Sequence, residues 1–483
     1  MALTLIVLLP LLTALLCCLS PFRRATWVIT VIDGCAVLAL VIIVCREVLS
    51  VRELAGGHGW FVVDGLGALV LLVVSFVCTL AAVFAGGYMR HLDGHADRLW
   101  WFYANYNLLF FALVAAVALA QPILVWVAVE LITLFAVLLV GFERTPRALE
   151  ATWKYAVLTI MGAPISLLGF FCLFWAYHSI GGAAPVTETW ESLRAVAPLM
   201  PPDKVKLAFL LVLVGFGAKS GLVPMHTWLP DAHSQAPSPV CAVLSGVKTT
   251  VPLYVVLRFL SLLLASPQIH IGHWMVVFGL LSVGVAAFLL LQVSDYKRMF
   301  AYSTVEHMGI ILTAAGMGTL AADSGAVWQL LNHSITKSLC FYVAGAILFA
   351  LGTREIKSVR GLLRTSPFAG AALILCALAI TGAPPFPIFL SEFSILSAGV
   401  HAGRYATVAV LAVLIAVAFI AIMLQVNRMV FGKPEHPTAP VALPASCRFA
   451  IVAGVLPLLL LGIYVPAPLQ SLLKLAALQL GGR

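Results

Sequence analysis

Stretches of roughly 20 consecutive apolar residues recur along the whole chain, and this repetition constrains the fold more than any other feature. A segment of that length crosses a bilayer as a helix, because lipid cannot hydrogen-bond exposed backbone groups. Only 10% of the 483 residues are charged and 62% are hydrophobic, whereas soluble domains carry about 25% charged residues. The sequence therefore predicts an all-α polytopic membrane protein.

About fourteen such spans can be counted, separated by short polar segments. The first has no basic residues ahead of it, so we expect a retained helix rather than a cleaved signal peptide. The predicted spans are 2–20, 25–45, 65–87, 101–120, 122–142, 154–178, 205–224, 239–264, 271–292, 299–319, 326–352, 367–399, 404–431 and 447–466.

Basic residues concentrate in alternate connections and thereby predict the orientation. Lysine and arginine are enriched in or beside the odd-numbered connections, most clearly at Arg354, Lys357, Arg360 and Arg364. Because basic loops stay on the cytoplasmic side, we expect the odd connections in the cytoplasm and both termini on the opposite side. The net charge of +9 is then mainly a topology signal and gives no reason to propose nucleic acid as a partner.

One lysine, Lys219, lies inside an apolar run that breaks at Pro224, in KSGLVPMHTWLPDAHSQAPSPV. A charge at bilayer depth costs roughly 2.5–3.5 kcal/mol on insertion scales, so it persists where a partner, water or a function offsets the cost. Glu130, in WVAVELITLF, is the natural partner, because an ion pair at about 4 Å is worth roughly 4 kcal/mol at an effective dielectric of about 20. The alternative to a proton-handling pair is a static bridge that fixes two helices.

A second broken segment, GAPPFPIFLSEF, carries Glu392 directly after its prolines. Val129-Glu130 precedes the first break and Val305-Glu306 precedes the second at a similar distance. Paired interrupted helices in two halves indicate a transporter-type repeat with sites near the middle of the membrane. We divide the chain into N-terminal helices at 1–100, a first repeat at 101–264, a second repeat at 271–431, and a C-terminal helix and tail at 432–483.

Further titratable residues lie within apolar spans. Lys248, in LSGVKTTVPLY, is either a relay site or a lysine that extends its charge to the interface. His333 and Lys337, in NHSITKSL, stand four residues apart and share a helix face, and histidine titrates near neutrality and can pass protons. Glu306 and His307 are adjacent, so they point to different faces and are not automatically a pair.

Two acidic residues remain open at this level. Glu392 is either the terminal carboxylate of a lateral path or a residue at an aqueous helix end. Asp33, in the second span, has no clear partner and receives no role.

We predict no cofactor and no metal for this chain. The ten cysteines are scattered and form no CxxC motif, so neither an iron–sulfur nor a zinc framework is indicated. His226, Asp231 and His233 lie in a proline-rich segment that we expect to be a re-entrant or capping loop, and they lack the helical spacing of strong metal motifs. The histidines at 178, 307, 333 and 401 offer only loose candidates for haem ligands.

At these residues the chain resembles the antiporter-like membrane subunits shared by respiratory complex I, multisubunit cation/proton antiporters and energy-converting hydrogenases. The resemblance covers about 120–430. The form YSTVEHMG looks most like the F component of hydrogenase-4 and its relatives. The matching segments are VAVELITL, KSGLVPMHTWLPDAHSQAPSPV, DYKRMFAYSTVEHMGI, NHSITKSL and GAPPFPIFLSEF.

The resemblance implies a fourteen-helix fold with two inverted five-helix repeats, in a bacterial or archaeal cytoplasmic membrane. It also implies a proton path in which Glu130 modulates Lys219, charge passes through the central polar residues, and Glu392 exchanges with one side. Glu306 then occupies the second-repeat counterpart of Glu130. Several relatives carry a lysine where this chain has Glu392, which leaves the exit step open.

We therefore expect a proton-translocating subunit of a redox-driven complex, of the energy-converting NiFe hydrogenase or complex I type. Its expected partners are other membrane subunits and soluble redox subunits, which would carry the redox centres. A cation/proton antiporter or an inorganic-carbon uptake subunit is a same-fold alternative, and sodium as well as protons is then a candidate ion. A membrane anchor without a transport role is the alternative from a different class.

Overall fold

Helices make up most of the residues that the structure describes, as backbone surrounded by lipid requires. The computed structural model describes residues 1–19, 23–92, 96–180, 188–264, 271–433 and 442–481. The first ten helices are α1 Ala2–Leu19, α2 Arg23–Val51, α3 Gly65–Tyr88, α4 Leu99–Ala118, α5 Pro122–Val140, α6 Pro146–His178, α7 Trp190–Val196, α8 Pro202–Ser220, α9 Trp228–Gln235 and α10 Ser238–Val243. The remaining ten are α11 Thr250–Leu264, α12 Gly272–Leu290, α13 Tyr296–Gly316, α14 Leu320–Leu351, α15 Leu362–Thr365, α16 Pro367–Ile380, α17 Pro387–His401, α18 Tyr405–Phe431, α19 Ala445–Ile463 and α20 Ala467–Leu480.

Two local elements were not predicted from the sequence. A π-helical turn, Leu244–Lys248, joins α10 to α11. An antiparallel hairpin, β1 Glu53–Gly56 with β2 Phe61–Asp64, connects α2 to α3. A π turn adds one residue to a helical turn and so redirects side chains, and such turns often occur at functional sites.

The helices agree with the predicted count of fourteen membrane passes. Eleven described segments are long and apolar enough to cross a bilayer, and one of them, Ser238–Leu264, combines α10, the π turn and α11. A further pass is α13, and the two broken helices, α8 with α9 and α16 with α17, supply the others. The chain is therefore an integral membrane protein.

Both predicted helix breaks are present. α8 ends at Ser220, and Gly221 turns the chain with a φ of +80°. α16 ends at Ile380, and Gly382 turns the chain with a φ of +68°. Glycine adopts this left-handed conformation at little steric cost, and the last carbonyl groups of each helix are left without intrahelical donors. Those carbonyl groups become available to side chains from other helices.

The segment that contains His226, Asp231 and His233 differs from the predicted loop. Trp228–Gln235 forms α9, the second half of the broken helix, and only His226 lies within the break itself. Pro230 does not disrupt α9, because it occupies the first turn, where backbone N–H groups have no intrahelical acceptor.

Two helices begin six or more residues before their predicted spans at 154 and 326. α6 begins at Pro146 and α14 begins at Leu320. The additional turns carry polar residues, including Glu150 on α6 and Asp323 on α14. Apolar run length detects only the part of a helix inside the hydrocarbon core, so these polar ends escaped prediction.

The connections sort onto two opposite faces. We define the odd face by residues 141–145, 236–237, 291–295 and 352–366, and the even face by residues 52–64, 119–121 and 188–201. On the odd face Asp295 and Glu355 form a β-bridge, and on the even face the backbone N–H of Trp190 donates to the carbonyl oxygen of Ala120 at 3.1 Å. This sorting is the one that alternating passes require.

The C-terminal tail forms α20 and packs against the protein. Leu472, Ala476 and Leu480 are buried on its inner side. The Gln479 Oε1 atom accepts a hydrogen bond from the backbone N–H of Leu66 at 3.0 Å, which joins α20 to the first turn of α3. Arg483 lies outside the described residues.

Candidate functional site

Lys219 occupies the last turn of α8 and pairs with Glu130 on α5. Its side chain is fully buried, and its Nζ atom donates to Glu130 Oε2 at 2.9 Å and to Thr133 Oγ1 at 2.9 Å. Glu130 and Thr133 stand one turn apart, so both face α8. The negative end of the α8 dipole further stabilises the ammonium group. The pairing expected from the sequence is therefore present.

Lys248 lies on the π turn directly beside this pair. Its Nζ atom donates to the carbonyl oxygen of Lys219 at 3.0 Å, one of the carbonyl groups freed by the first helix break. The same ammonium group lies over the rings of Trp228, 3.8 Å from the centroid, and Tyr155, 4.8 Å from the centroid. Because the side chain is fully buried, its charge does not extend to the interface.

The π turn also contacts α13 and α14. Ser245 Oγ and Thr304 Oγ1 are 2.6 Å apart, and His333 Nε2 lies 3.2 Å from the Ser245 carbonyl oxygen. The π turn is therefore the element through which the lysines of the first half adjoin the histidines of the second.

Lys337 and Glu306 form the next part of the site. The Lys337 Nζ atom donates to the carbonyl oxygen of Phe300 at 2.8 Å and to Ser303 Oγ on α13. Lys337 and Glu306 interact electrostatically, although they are not within ion-pair distance. Both are buried. Lys337 thus rests on the backbone of the helix that carries Glu306.

His307 faces away from Glu306, as adjacency on a helix requires. The centroid of its ring lies 5.3 Å from that of His333. Its Nε2 atom lies 3.1 Å from the carbonyl oxygen of Ile380, a carbonyl freed by the second helix break. Its Nδ1 atom lies 2.7 Å from Gln329 Nε2. Each helix break therefore supplies a terminal carbonyl to a titratable side chain.

Glu392 lies on the second turn of α17, beyond the second break, and is 6% exposed. That burial excludes the interpretation of a residue at an aqueous helix end. Glu392 interacts electrostatically with Glu306 and lies beside the Gln329 side chain. Its Oε2 atom occupies the space that a side chain at Gly382 would need.

We call this arrangement the polar row. It runs from α5 to α17 through α8, the π turn, α14 and α13. Its titratable members are Glu130, which is partly exposed, and the buried residues Lys219, Lys248, His333, His307, Lys337, Glu306 and Glu392. Between Lys248 and His333 the contacts pass through the π-turn backbone.

Several polar members of the row escaped the sequence analysis. Thr133 lies three residues after Glu130, Gln329 lies four residues before His333, and Ser391 precedes Glu392. Helical spacing of three or four residues from a titratable position is the signal that would have found Thr133 and Gln329. The same spacing marks Ser245, three residues before Lys248, and Thr304, three residues before His307. It does not predict the contact between them, because they lie on different helices.

The residues considered for metal binding do not converge. Within the described ranges no group of three or more His, Cys, Asp or Glu side chains could hold a metal ion. Asp231 instead pairs with Lys154 at 3.4 Å and with Arg298 at 2.5 Å, and His233 donates from Nδ1 to the Leu229 carbonyl oxygen at 2.7 Å.

A polar cavity of about 510 Å³ opens on the odd face beside these ion pairs. Ser234 and Asp295 both line it, and Ser234 Oγ donates to Asp295 Oδ2 at 2.7 Å. It lies where odd connections meet α9, and its walls include Arg147, Glu150, Lys154, Asp231, Arg298, Arg354 and Glu355. Water can thus approach the buried α9 segment from this side.

Asp33 does not join the polar row. It lies on α2 and is 4% exposed. Neither carboxylate oxygen has a hydrogen-bond partner among the described residues, although the Thr13 side chain is near.

The fold and the row define a class of protein: a polytopic membrane protein with two broken helices and a largely buried line of acids, lysines and histidines at the level of the breaks. Residues 119–419 match the family model described as NADH:quinone oxidoreductase/Mrp antiporter, TM. Residues 60–98 match the model described as NADH-Ubiquinone oxidoreductase (complex I), chain 5 N-terminus. The chain belongs to this family of antiporter-like membrane subunits, as the resemblance predicted.

Individual relatives agree. The chain is 35% identical to the Hydrogenase-4 component F homolog of Methylacidiphilum infernorum (isolate V4), over 84% of this chain and 86% of that protein. It is 30% identical to NADH-quinone oxidoreductase subunit N of Desulforudis audaxviator (strain MP104C), over 84% of this chain and 80% of that protein.

Solved structures show the same fold. A chain of the Mrp complex from Dietzia sp. DQ12-45-1b superimposes with a TM-score of 0.87 at 21% identity, covering 99% of this chain and 96% of that one. A chain of the membrane-bound sulfane sulfur reductase, an archaeal respiratory membrane complex, gives a TM-score of 0.87 at 23% identity, covering 99% and 97%.

Proposed function

We propose that this chain is a proton-translocating membrane subunit and that the polar row carries the protons. One observation carries the proposal: eight titratable side chains, seven of them buried, lie in sequence between α5 and α17, joined by hydrogen-bonding groups. Buried charges in a membrane are costly unless they are paired or used. The row crosses several helices, whereas a static bridge that fixes two helices together would need only one pair of charged residues.

The pair Glu130 and Lys219 is the proposed control point. While they are in contact, the carboxylate favours the charged form of the lysine. If a movement in the complex separates them, Lys219 loses its counter-ion and tends to release its proton toward Lys248, which accepts it as a neutral amine and whose Nζ atom already contacts the Lys219 carbonyl oxygen. Such coupling needs two arrangements of different energy, which a partner's reaction must bias.

Glu392 is the proposed exchange site at the other end. Glu306 and Glu392 are both acidic and interact electrostatically, so ionising both at once is unfavourable. A proton delivered along the row through His307 would therefore be held by one carboxyl and released when the other changes state. In this chain an acid at this place replaces the lysine of several relatives, so the terminal group is neutral when it holds a proton.

We further propose the partners and the internal repeats. The names of the relatives indicate assembly with other membrane subunits, and redox subunits of the hydrogenase or complex I type would supply the driving reaction. Residues 101–264 and 271–431 would form the two repeats, because each contains a helix that carries a glutamate of the polar row, α5 or α13, followed along the chain by a broken helix. Residues 1–100 and 432–483 would flank them.

The test is redox-driven proton uptake by the intact complex in sealed vesicles. Lys219→Ala and Glu392→Gln should each lower uptake about tenfold or more, which corresponds to loss of about 1.4 kcal/mol or more. Electron transfer without coupling and subunit assembly are measured in the same preparations. Lys206→Ala, a partly exposed lysine on the same α8, and Glu47→Gln, an exposed acid on α2, are matched controls.

The alternatives give different results in the same vesicles. Normal uptake in both variants would contradict the proposal and support a membrane anchor. Uptake that requires sodium, or proton movement that follows an imposed sodium gradient without a redox reaction, would identify a cation/proton antiporter.

A further inference from the structure

Gln329 connects His307 to α17 and has no role in the proton path proposed above. It lies on α14, one turn before His333, and is fully buried. Its two amide ends make different contacts. The Nε2 atom lies 2.7 Å from His307 Nδ1, and the Oε1 atom accepts a hydrogen bond from Ser391 Oγ on α17.

The surrounding contacts fix the direction of every hydrogen bond in this chain of groups. A backbone carbonyl only accepts, so the contact of His307 Nε2 with the Ile380 carbonyl oxygen places a hydrogen on Nε2. In the neutral ring, Nδ1 is then an acceptor. Gln329 Nε2 donates to it, and Oε1 accepts from Ser391.

Asn332 agrees with this direction. Its Nδ2 atom donates to Ser391 Oγ at 3.3 Å and to the Pro387 carbonyl oxygen at 2.8 Å. Ser391 therefore receives a donor from one side and directs its own hydrogen toward Gln329. The series of hydrogen bonds from Asn332 through Ser391 and Gln329 to His307 pairs every donor with an acceptor only while His307 is neutral.

A proton on His307 reverses the direction of these hydrogen bonds. The imidazolium carries hydrogens on both nitrogens, so Nδ1–H would face the Gln329 amide N–H at 2.7 Å, two donors without an acceptor. A half-turn of the amide removes the conflict, because it exchanges the positions of Oε1 and Nε2. Gln329 Oε1 then accepts from His307, and Nε2 donates to Ser391.

Ser391 has the acceptors that the reversed state needs. Its Oγ atom lies 3.0 Å from the Ile388 carbonyl oxygen and 3.2 Å from that of Pro387, so its hydrogen can turn back onto α17. Both states therefore give a partner to His307 Nδ1, to both ends of the Gln329 amide and to Ser391. A buried network of this kind has two discrete arrangements and few intermediates.

We propose that Gln329 is a positioning residue that transmits the protonation state of His307 to Ser391 and the first turns of α17, which carry Glu392, by a half-turn of its amide. This rests on the proposed function, in which His307 takes and releases protons. Among side chains of this length only an amide can do this. An amide offers a donor and an acceptor that rotation exchanges, a carboxylate offers acceptors alone, and an aliphatic chain offers neither.

Other titratable groups face His307 and set the conditions under which it accepts a proton. His333 and Lys337 face it from α14, Glu392 lies near Gln329 on α17, and Glu306 is its neighbour on α13. Positive charge on His333 or Lys337 opposes protonation of His307, and ionised Glu306 or Glu392 favours it. The Gln329 amide is the contact that differs in hydrogen-bond direction between the two states.

The test is the tautomer of His307 in the full chain within the intact complex, read by nitrogen NMR of isotope-labelled histidine. The His307 signal is assigned by its loss in His307→Asn. In the wild type we expect hydrogen on Nε2 in the neutral ring. Gln329→Glu, which presents only acceptors, should shift the hydrogen to Nδ1 or stabilise the imidazolium. Gln329→Met, of similar shape, should leave a mixture of tautomers.

Proton uptake provides the second readout. Gln329→Met should lower redox-driven uptake about tenfold while assembly is retained, and Gln329→Glu should displace the pH profile of uptake. Gln425→Met on α18, outside the polar row, is the control. A His307 tautomer that is unchanged in both variants, or uptake within about twofold of wild type in Gln329→Met, would overturn the proposal.

Failure of this inference can be separated from failure of the proposed function. If Lys219→Ala abolishes uptake but the Gln329 variants behave as wild type, the polar row stands and the amide role is rejected. If Gln329→Met does not assemble, the tautomer in Gln329→Glu decides. The NMR readout does not require proton pumping and therefore decides even if Lys219→Ala pumps normally.

Discussion

At the residue scale, Asp33 shows how a buried charge outside the polar row can be distinguished from those within it. The lysines and histidines of the row make hydrogen bonds to carbonyl, hydroxyl or amide groups, whereas neither Asp33 oxygen has a hydrogen-bond partner among the described residues. Burying an ionised group without a partner opposes folding. We therefore regard Asp33 as a cost to stability that is independent of transport.

We predict that Asp33→Asn raises the stability of the purified protein by about 1 kcal/mol or more, because the neutral amide is cheaper to bury than an unpaired carboxylate. The measurement is the thermal unfolding midpoint at neutral pH in one detergent. Glu47→Gln, an exposed acid on the same α2, should leave it unchanged. A lower midpoint in Asp33→Asn would mean that the carboxylate has a stabilising partner in the membrane.

Charged and uncharged polar residues differ in how well the sequence reveals them. Lys219 and Glu130 were predictable because a charge within an apolar run is conspicuous and costly. Gln329 and Thr304 are marked only by their spacing from a titratable residue, because uncharged polar residues are ordinary in membrane helices and commonly bond back to a carbonyl four residues earlier. Thr250 does so with Gly246 at 2.9 Å. Only the packing of α14 against α13 and α17 separates the two kinds.

At the element scale, a glycine contact sets the position of α8. An added Cβ at Gly215 would lie 2.6 Å from the Gly162 carbonyl oxygen and 2.5 Å from the Ser166 backbone nitrogen, both on α6. The two helix backbones are thus nearly in contact, as small residues allow in membranes. Since Lys219 lies one turn beyond Gly215, this contact also places its side chain against Glu130.

We predict that Gly215→Leu separates α8 from α6 and lowers proton uptake together with stability, by about 1–3 kcal/mol for overpacking. The measurements are the unfolding midpoint and redox-driven uptake. The control is Gly284→Leu on α12, where an added Cβ would meet only the flexible Leu414 side chain at 3.6 Å. Equal behaviour of the two variants would show that the α6–α8 contact does not determine the position of Lys219.

Helix breaks and helix distortions are also unequally predictable. The prolines at both breaks predicted that the two helices are interrupted, because proline removes a backbone donor and clashes with the preceding turn. The π turn at Leu244–Lys248 has no proline or glycine cluster that requires it. It depends on the contacts that Ser245 and Lys248 make with other helices, which a single sequence does not specify.

At the scale of the whole molecule, the distribution of basic residues between the odd and even faces predicts how the protein is oriented in the membrane. Arg354 and Lys357 lie on the odd face, and the same face contains the polar cavity beside α9. The even face carries the hairpin, and α20 packs at that end of α3. If basic connections remain in the cytoplasm, the cavity opens to the cytoplasm and α20 lies outside.

We predict that a membrane-impermeant maleimide added to intact cells labels Arg404→Cys, in the connection between α17 and α18, and does not label Lys357→Cys on the odd face. Both positions are exposed, so access depends on the side of the membrane alone. The background replaces the two exposed native cysteines, Cys18 and Cys35, by serine. Permeabilised cells, in which both sites should react, control for burial by partner subunits. Labelling of Lys357→Cys but not of Arg404→Cys in intact cells would show that the protein has the opposite orientation. The odd-face cavity would then supply water from the outer side of the membrane. Protons would in that case pass between Glu392 and the cavity in the reverse direction.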